Sequence, residues 1–371
     1  MSTAELRQAA ADKLEAAAGR IPRLTAFLGF DGFVDEILHV VDKRESAETF
    51  SRVTTIAKFA ERIAAAAGRS TNIEIVHRQT KLGGNGPIMA NTLARFGLEV
   101  TYLGSLGFPT IHPAFDEFAR RARVHSLAEP GFTKALEFED GKIMLGQIES
   151  LKEINWPNIQ TRFGREKFTA AFQTAALVAL VNWTMLPHMS SIWETLQREL
   201  CPTLNGPRRK LFFDLADPEK RRPEDIRRAL ELIAAFEKWF DVILGLNEKE
   251  AGEIGRVLGL ETADSSRNGL IRLAQDIQGR VPISTLVVHP VAWALAVSRG
   301  AVSAVDGPFT PQPLLTTGAG DHFNAGFCLG KLLGFDDSTS LLCGVGTSGF
   351  YVRTAQSPGV RDLADFLRTW K

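Results

Sequence analysis

Cysteine is scarce: Cys201, Cys328 and Cys343 are the three in a chain of 371 residues. They are odd in number, far apart and free of any C-x-x-C pair. That excludes a disulfide framework or a thiolate zinc site and fits packing residues in a reducing compartment. Long apolar runs are missing too. The longest, Ala175–Val181, falls far short of the roughly 20 residues that a membrane-spanning helix needs. Met1–Arg20 carries charges every few residues and lacks the apolar centre of a secretory signal, so a cytoplasmic protein is expected. Neither charge sign is in excess, with 43 Lys and Arg against 43 Asp and Glu. The balance argues against nucleic acid or an anionic membrane as partner, because both select a basic surface. The seven histidines are scattered, with no pair at metal-ligand spacing. No linker, low-complexity tract or internal repeat interrupts the chain.

What is present suits one large soluble fold: 44% hydrophobic and 23% charged residues. Ala4–Gly19 reads as an alanine-rich amphipathic helix and Leu24–Phe30 as a buried strand. From about Ala170 onward, apolar runs (Ala176–Val181, Leu211–Phe213, Val242–Leu246, Leu286–Val288) alternate with helical stretches (Ser190–Leu200, Pro223–Trp239, Glu248–Leu258, Ser266–Gln278). That rhythm predicts βαβ units and a doubly wound, mostly parallel sheet covered by helices on both faces. A glycine-rich turn at Thr316–Gly320 and three further helices complete the chain. Phe33–Val41, Asn72–Thr80 and Thr133–Glu149 do not fit the alternation. The last has arms 135–138 and 143–148 around the turn dipeptide Asp140-Gly141. These stretches, about 33–41, 72–80 and 133–149, are expected to form a small β-sheet lid on a single α/β domain spanning 1–371.

The string Thr316-Thr317-Gly318-Ala319-Gly320-Asp321-His322-Phe323 carries the clearest chemistry. Glycines let backbone N–H groups converge on an anion, and a helix starting near Gly320 adds the partial positive charge of its N-terminus. Asp321, in the first turn, lies where a carboxylate can accept the proton of an attacking hydroxyl. A strand-to-helix turn whose Asp merely caps the helix uses similar residues. Gly83-Gly84-Asn85, between a strand-like run and a helix-like one, offers N–H groups and an amide for hydroxyls, and Asp35 can accept hydroxyl hydrogens. Asn247 and Glu250 lie one helical turn apart after an apolar run, at a strand's carboxyl end where open α/β sheets bind ligands. They are placed either to hold Mg²⁺ through water or to form a helix capping box. Asp31, Asp214 and Asp217 also follow apolar runs.

The full string resembles the second signature of the ribokinase-like (PfkB) carbohydrate kinases, D-T-T-G-A-G-D-x-F. Leu82-Gly83-Gly84-Asn85-Gly86 is similar to the family's glycine-pair motif, Asn247-Glu248-Lys249-Glu250 to its N-x-x-E, and Gly29–Asp35 to its opening strand. The landmarks run in order from about Leu24 to Ala355. The resemblance implies ATP and Mg²⁺ as cofactors, a small sugar-like acceptor and phosphoryl transfer with Asp321 as base beside Gly318, Ala319 and Gly320. It implies acceptor contacts from Asp35, Gly83, Gly84 and Asn85, to which Asp31 is added by its strand-end position, and nucleotide contacts from Asn247, Glu250, Thr317 and His289. Glu250 would reach Mg²⁺ through water, and a homodimer through the lid is expected.

The chain departs from the family at three places. Leu315 stands where an Asp helps bind an activating monovalent cation, so little effect of potassium is expected. Ile88 replaces the asparagine of the first motif. His289 and Pro290 fall where the family has T-x-G beside the nucleotide. Competing readings are a non-catalytic sugar- or nucleotide-binding protein, a nucleoside or ADP-dependent kinase, and an NAD-dependent oxidoreductase. Against the last, Gly29–Asp35 does not match G-x-G-x-x-G.

Overall fold

The computed structural model describes residues 3–262 and 264–370. Its strands are β1 (Thr25–Phe30), β2 (Phe33–Arg44), β3 (Phe50–Arg52), β4 (Ile75–Gly83), β5 (Glu99–Gly104), β6 (Arg123–Ser126), β7 (Gly131–Phe138), β8 (Gly141–Gln147), β9 (Leu177–Val181), β10 (Arg209–Asp214), β11 (Phe240–Leu246), β12 (Thr285–Val288), β13 (Trp293–Ser298) and β14 (Ala301–Asp306). Nine of them form one sheet in the order β14-β13-β12-β11-β10-β9-β1-β5-β6. Pairing is parallel from β6 to β12 and antiparallel from β12 to β14. The doubly wound, mostly parallel sheet expected from the sequence is therefore present.

Strand alternation fills the space on both faces. On β9, β10 and β11 the residues Val178, Leu180, Leu211, Phe213, Val242 and Leu244 face one core. Leu177, Ala179, Phe212 and Ile243, from the same strands, face the other. Helices 165–174, 223–235, 248–258 and 267–280 cover the first face; helices 3–17, 85–96, 319–332, 337–354 and 360–369 cover the second. Each fully buried large apolar side chain contributes about 1.5–3 kcal/mol relative to exposure.

The helix Glu248–Leu258 has the ends its sequence specifies: Asn247 and Glu250 form a capping box, and Gly259 closes it at φ 71°.

The second sheet joins β3, β2, β7 and β8, with β4 on the other side of β2. Stretches 33–41 and 72–80 overlap β2 and β4, and 133–149 overlaps the β7–β8 hairpin. Phe138 pairs with Gly141, so Glu139 and Asp140 form the turn, one residue earlier than the sequence suggested. The Asp140 carboxylate accepts from the Ile56 N–H and ties the turn to the helix Ile56–Ala64. Phe59 of that helix packs on Phe138, with ring centroids 5.4 Å apart, in a small core with Leu38, Val40, Val53 and Leu136. Among the described residues no helix is long and apolar enough to cross a membrane. The three cysteines are buried and carry free thiols.

Candidate active site

Four ends of parallel strands meet at one edge of the large sheet. Asp31 follows β1, Asn182 follows β9, Asp214 ends β10 and Asn247 follows β11. Asp31 is fully buried. Its carboxylate accepts from the Asn85 and Gly86 N–H groups, each at 2.9 Å, from Asn182 Nδ2 at 2.7 Å and from the Tyr102 hydroxyl at 3.3 Å. It thus caps, from the turn after β1, the helix Asn85–Phe96, whose first N–H groups have no acceptor of their own. Asn85, held this way, donates from Nδ2 to Asp321 Oδ1 at 2.9 Å.

Asp321 is 6% exposed in the first turn of the helix Ala319–Leu332, whose N-cap Gly318 has φ 90° and brings no side-chain cap. A cleft of about 330 Å³ opens beside it, lined among others by Asp35, Thr133 and Met144 of the second sheet and by Asn247, Glu250, Thr317 and Gly318. Asn182, Ala216 and Asp217 on its wall have φ values of 61°, 57° and 64°, backbone strain of the kind that gathers at functional sites. A larger cleft of about 730 Å³ lies behind residues 314–315, between the second sheet and residues 351–357. Neither Glu250 nor Asp321 lines it, whereas both line the smaller one, which is the candidate site.

The charge around the smaller cleft is unbalanced. Asp321 is held well above the ordinary carboxyl range, first by burial and then by Asp214, with Asp31 and Glu250 adding and Asn85 opposing. Asp214 is raised by burial and by Glu250. Burial raises Asp31 to about 6 against its four hydrogen bonds. Burial also raises Glu250, although its two oxygens accept from the N–H groups of Asp217 and Asn247 at 2.9 Å. Asp35 is raised by burial and eased by Lys81, its register partner on β4. Lys220, ion-paired to Asp217 at 3.0 Å, is the one cationic side chain lining this cleft among the described residues. Asn324 donates Nδ2 to Asp214, while its own buried Oδ1 has no partner among the described residues.

Residues 3–370 match the family of prokaryotic ketohexokinases. The chain belongs to that family. A ketohexokinase of Haloferax volcanii is 32% identical over 340 residues, covering 91% of this chain and 89% of that protein. Similar folds include Arabidopsis thaliana ribokinase, solved with ribose and ATP (TM-score 0.63, 15% identity, 93% of this chain and 99% of that one). Another is Escherichia coli phosphofructokinase-2 (TM-score 0.62, 13% identity, 93% and 98%). The protein is a sugar kinase with the ribokinase-like fold, as its motifs implied.

Within this ketohexokinase-family fold the expected residues separate into groups. Asp35, Gly84, Asn85, Asn247, Glu250, Thr317, Gly318 and Asp321 line one cleft. Ala319 and Gly320 continue from Gly318 as the first helical residues, one position earlier than expected. Gly83 lies against the Asp35 carboxyl, where an added Cβ would come within 2.5 Å. Asp31 does not line the cleft: both its oxygens accept from the 85–86 turn and Asn182. His289 does not line it either. Its ring packs on Phe323 at 4.7 Å, against Gly320, and burial lowers its pKa to about 4, so it is neutral there. Leu315 brings no side-chain oxygen to the turn.

Asn182, Asn324, Lys220 and Thr133 were not singled out by the sequence. Asn182 alone carried a signal, as the polar residue directly after an apolar run.

Proposed function

We propose that this chain transfers the terminal phosphoryl group of ATP to a hydroxyl of a ketohexose, with Asp321 as general base. The observation that carries the reading is the seating of Asp321: buried, oriented by Asn85 at 2.9 Å and one turn past Gly318, in the cleft that also holds Asp35. The name of the Haloferax relative supports the acceptor, and the nucleotide bound to the Arabidopsis ribokinase supports the donor.

Asp35, between Lys81 and Thr133, would accept hydrogens from sugar hydroxyls, as a carboxylate with free lone pairs does. The donor phosphates would lie against the N–H groups of the Gly318–Asp321 turn, with Lys220 as the cation that lines the same cleft among the described residues. Exposed apolar residues on the adjoining loops, Val291, Phe309 and Leu314, would receive the base.

Uncompensated carboxylates and an orphaned amide oxygen on Asn324 fit a hard divalent cation. Glu250 and Asp214 would hold Mg²⁺ through water. When bound it would supply positive charge for the donor phosphates and favour ionised neighbours. The second sheet would serve as a lid over the sugar and as the contact of a homodimer, in a cytoplasmic enzyme.

Phosphoryl transfer has a loose transition state, so the protein mainly positions groups and neutralises charge. Asp321 would orient the acceptor hydroxyl and take its proton late. Steady-state assays with fructose and ATP test this. Asp321→Asn keeps size and one acceptor, and turnover should fall by about 10²–10⁴-fold with the nucleotide KM little changed. Asp35→Asn should instead raise the sugar KM. Near-normal turnover in Asp321→Asn would reduce Asp321 to a helix cap.

A further inference from the structure

The turn before Asp321 is held from behind by side chains outside the cleft. Tyr351 Oη donates to the Thr317 carbonyl at 2.8 Å. His322 Nδ1 lies 2.7 Å from the Gly318 carbonyl, and the His322 N–H reaches the same oxygen at 3.1 Å. A carbonyl only accepts, so Nδ1 carries the proton and Nε2 accepts from the Ser357 hydroxyl at 2.9 Å. The imidazole and phenol rings stack, with centroids 3.7 Å apart at 14°. His322 is 2% exposed, and burial lowers its pKa to about 4, which keeps this neutral tautomer at working pH. Ser357 Oγ is also 3.4 Å from Thr92 Oγ1, on the helix that begins with Asn85. His322, Tyr351 and Ser357 all face the larger cleft, and none lines the smaller one.

We infer that His322 and Tyr351 are positioning residues for phosphoryl transfer, aiming the backbone N–H groups of the turn by fixing its carbonyls. In a trans peptide the N–H and C=O point in opposite directions. Tyr351 draws the Thr317 carbonyl toward the rear, so the Gly318 N–H is directed to the cleft that Gly318 lines. His322 fixes the next peptide by its carbonyl, and the N–H of that peptide, on Ala319, closes the turn on the Thr316 carbonyl at 3.1 Å. Gly318, at φ 90°, can rotate where other residues would not, and a flipped peptide would present a carbonyl oxygen to the incoming phosphoryl group. The two side chains oppose that flip. Neither needs to touch substrate, and neither carries charge. The inference rests on the reading of this turn as the phosphoryl site.

The test uses the full chain with fructose and ATP. Tyr351→Phe keeps the ring and its stacking but loses the hydroxyl. His322→Ala loses the Nδ1 donor, and His322→Asn restores a donor near the same place. Tyr351→Phe and His322→Ala should each lower kcat about tenfold, the worth of one net hydrogen bond, with the sugar KM within about twofold. His322→Asn should recover most of the loss relative to His322→Ala. If His322→Ala does not fold, Tyr351→Phe alone decides. Unchanged kcat in Tyr351→Phe, or a loss confined to the sugar KM, would overturn the inference. Asp321→Asn, assayed alongside, separates the two readings. Loss of turnover there with full turnover in Tyr351→Phe and His322→Ala removes the clamp alone; full turnover in Asp321→Asn removes the phosphoryl site and the clamp with it.

Discussion

Asp214 is bonded to two neutral donors, the Ala216 N–H and Asn324 Nδ2, each at 2.8 Å, while Glu250 and Asp31 add negative charge nearby. Its pKa is pushed up to about 8, mainly by burial. A carboxyl raised above its unfolded value binds more protons when folded. Its contribution to stability is full below the unfolded pKa and is lost as pH rises through the folded one. His289 and His322, both lowered to about 4, are neutral when folded, and in the unfolded chain only about a quarter protonated at pH 7, so they oppose the trend weakly at pH 7 and hardly at all above pH 8. Ligand-free protein should therefore lose stability between about pH 7 and 9. Asp214→Asn should flatten that slope by an amount on the order of 1 kcal/mol. Chemical unfolding at several pH values reads this directly. An equal or steeper slope in the variant would show that Asp214 is ionised across the range.

The elements that carry the site owe their spacing to one close approach. Gly86, in the first turn of the helix Asn85–Phe96, lies so near β1 and β5 that an added Cβ would come within 2.2 Å of the Tyr102 hydroxyl and 2.6 Å of Asp31 Oδ1. Gly86→Ala should push the helix start away and cost about 1–3 kcal/mol, as overpacking does. Activity should fall with it, because Asn85 moves from Asp321. Tyr102→Phe removes the nearer clashing atom, so the double variant should regain part of both losses. Simple additivity in that cycle would place the damage elsewhere.

Strands β9 to β12 and the helix Glu248–Leu258 were legible because apolar runs alternate with capped helices. Strands β13 and β14 were not. Their tight turn is Arg299-Gly300, with φ 49° and 84°, and an arginine hides a conformation that Asn-Gly would advertise. Strands β5 and β6, at the far edge of the sheet, also passed unnoticed. Asp35, Asn85, Glu250 and Asp321 were readable because each sits in a local motif. Asn182, Lys220 and Tyr351 come to the site or its support from distant segments, through crossovers that no local pattern records, whereas Asn324 lies one helical turn past Asp321.

Across the whole molecule, the cleft needs both sheets. The large sheet supplies the strand ends and the Gly318–Asp321 turn, while the second sheet brings Phe33, Asp35, Thr133 and Met144. The second sheet is itself only partly covered. Its strand β8 lies at an edge, pairs among the described residues only with β7 and leaves Met144 and Leu145 47% and 52% exposed, with Ile148 beyond it at 43%. An open edge with apolar side chains invites pairing with another strand, and a second copy of the chain presents the same edge. The proposed homodimer would use this face. Sedimentation at micromolar concentration should then give twice the chain mass of 40.7 kDa. Leu145→Lys, which places a charge on the edge opposite Lys134, should shift the mass toward the monomer. Because Met144 lines the cleft next to Leu145, the same substitution should raise the sugar KM while leaving the nucleotide KM nearly unchanged. A monomeric mass for the unaltered chain would remove the dimer, and an unaltered sugar KM in a monomeric Leu145→Lys would show that pairing and sugar binding are independent.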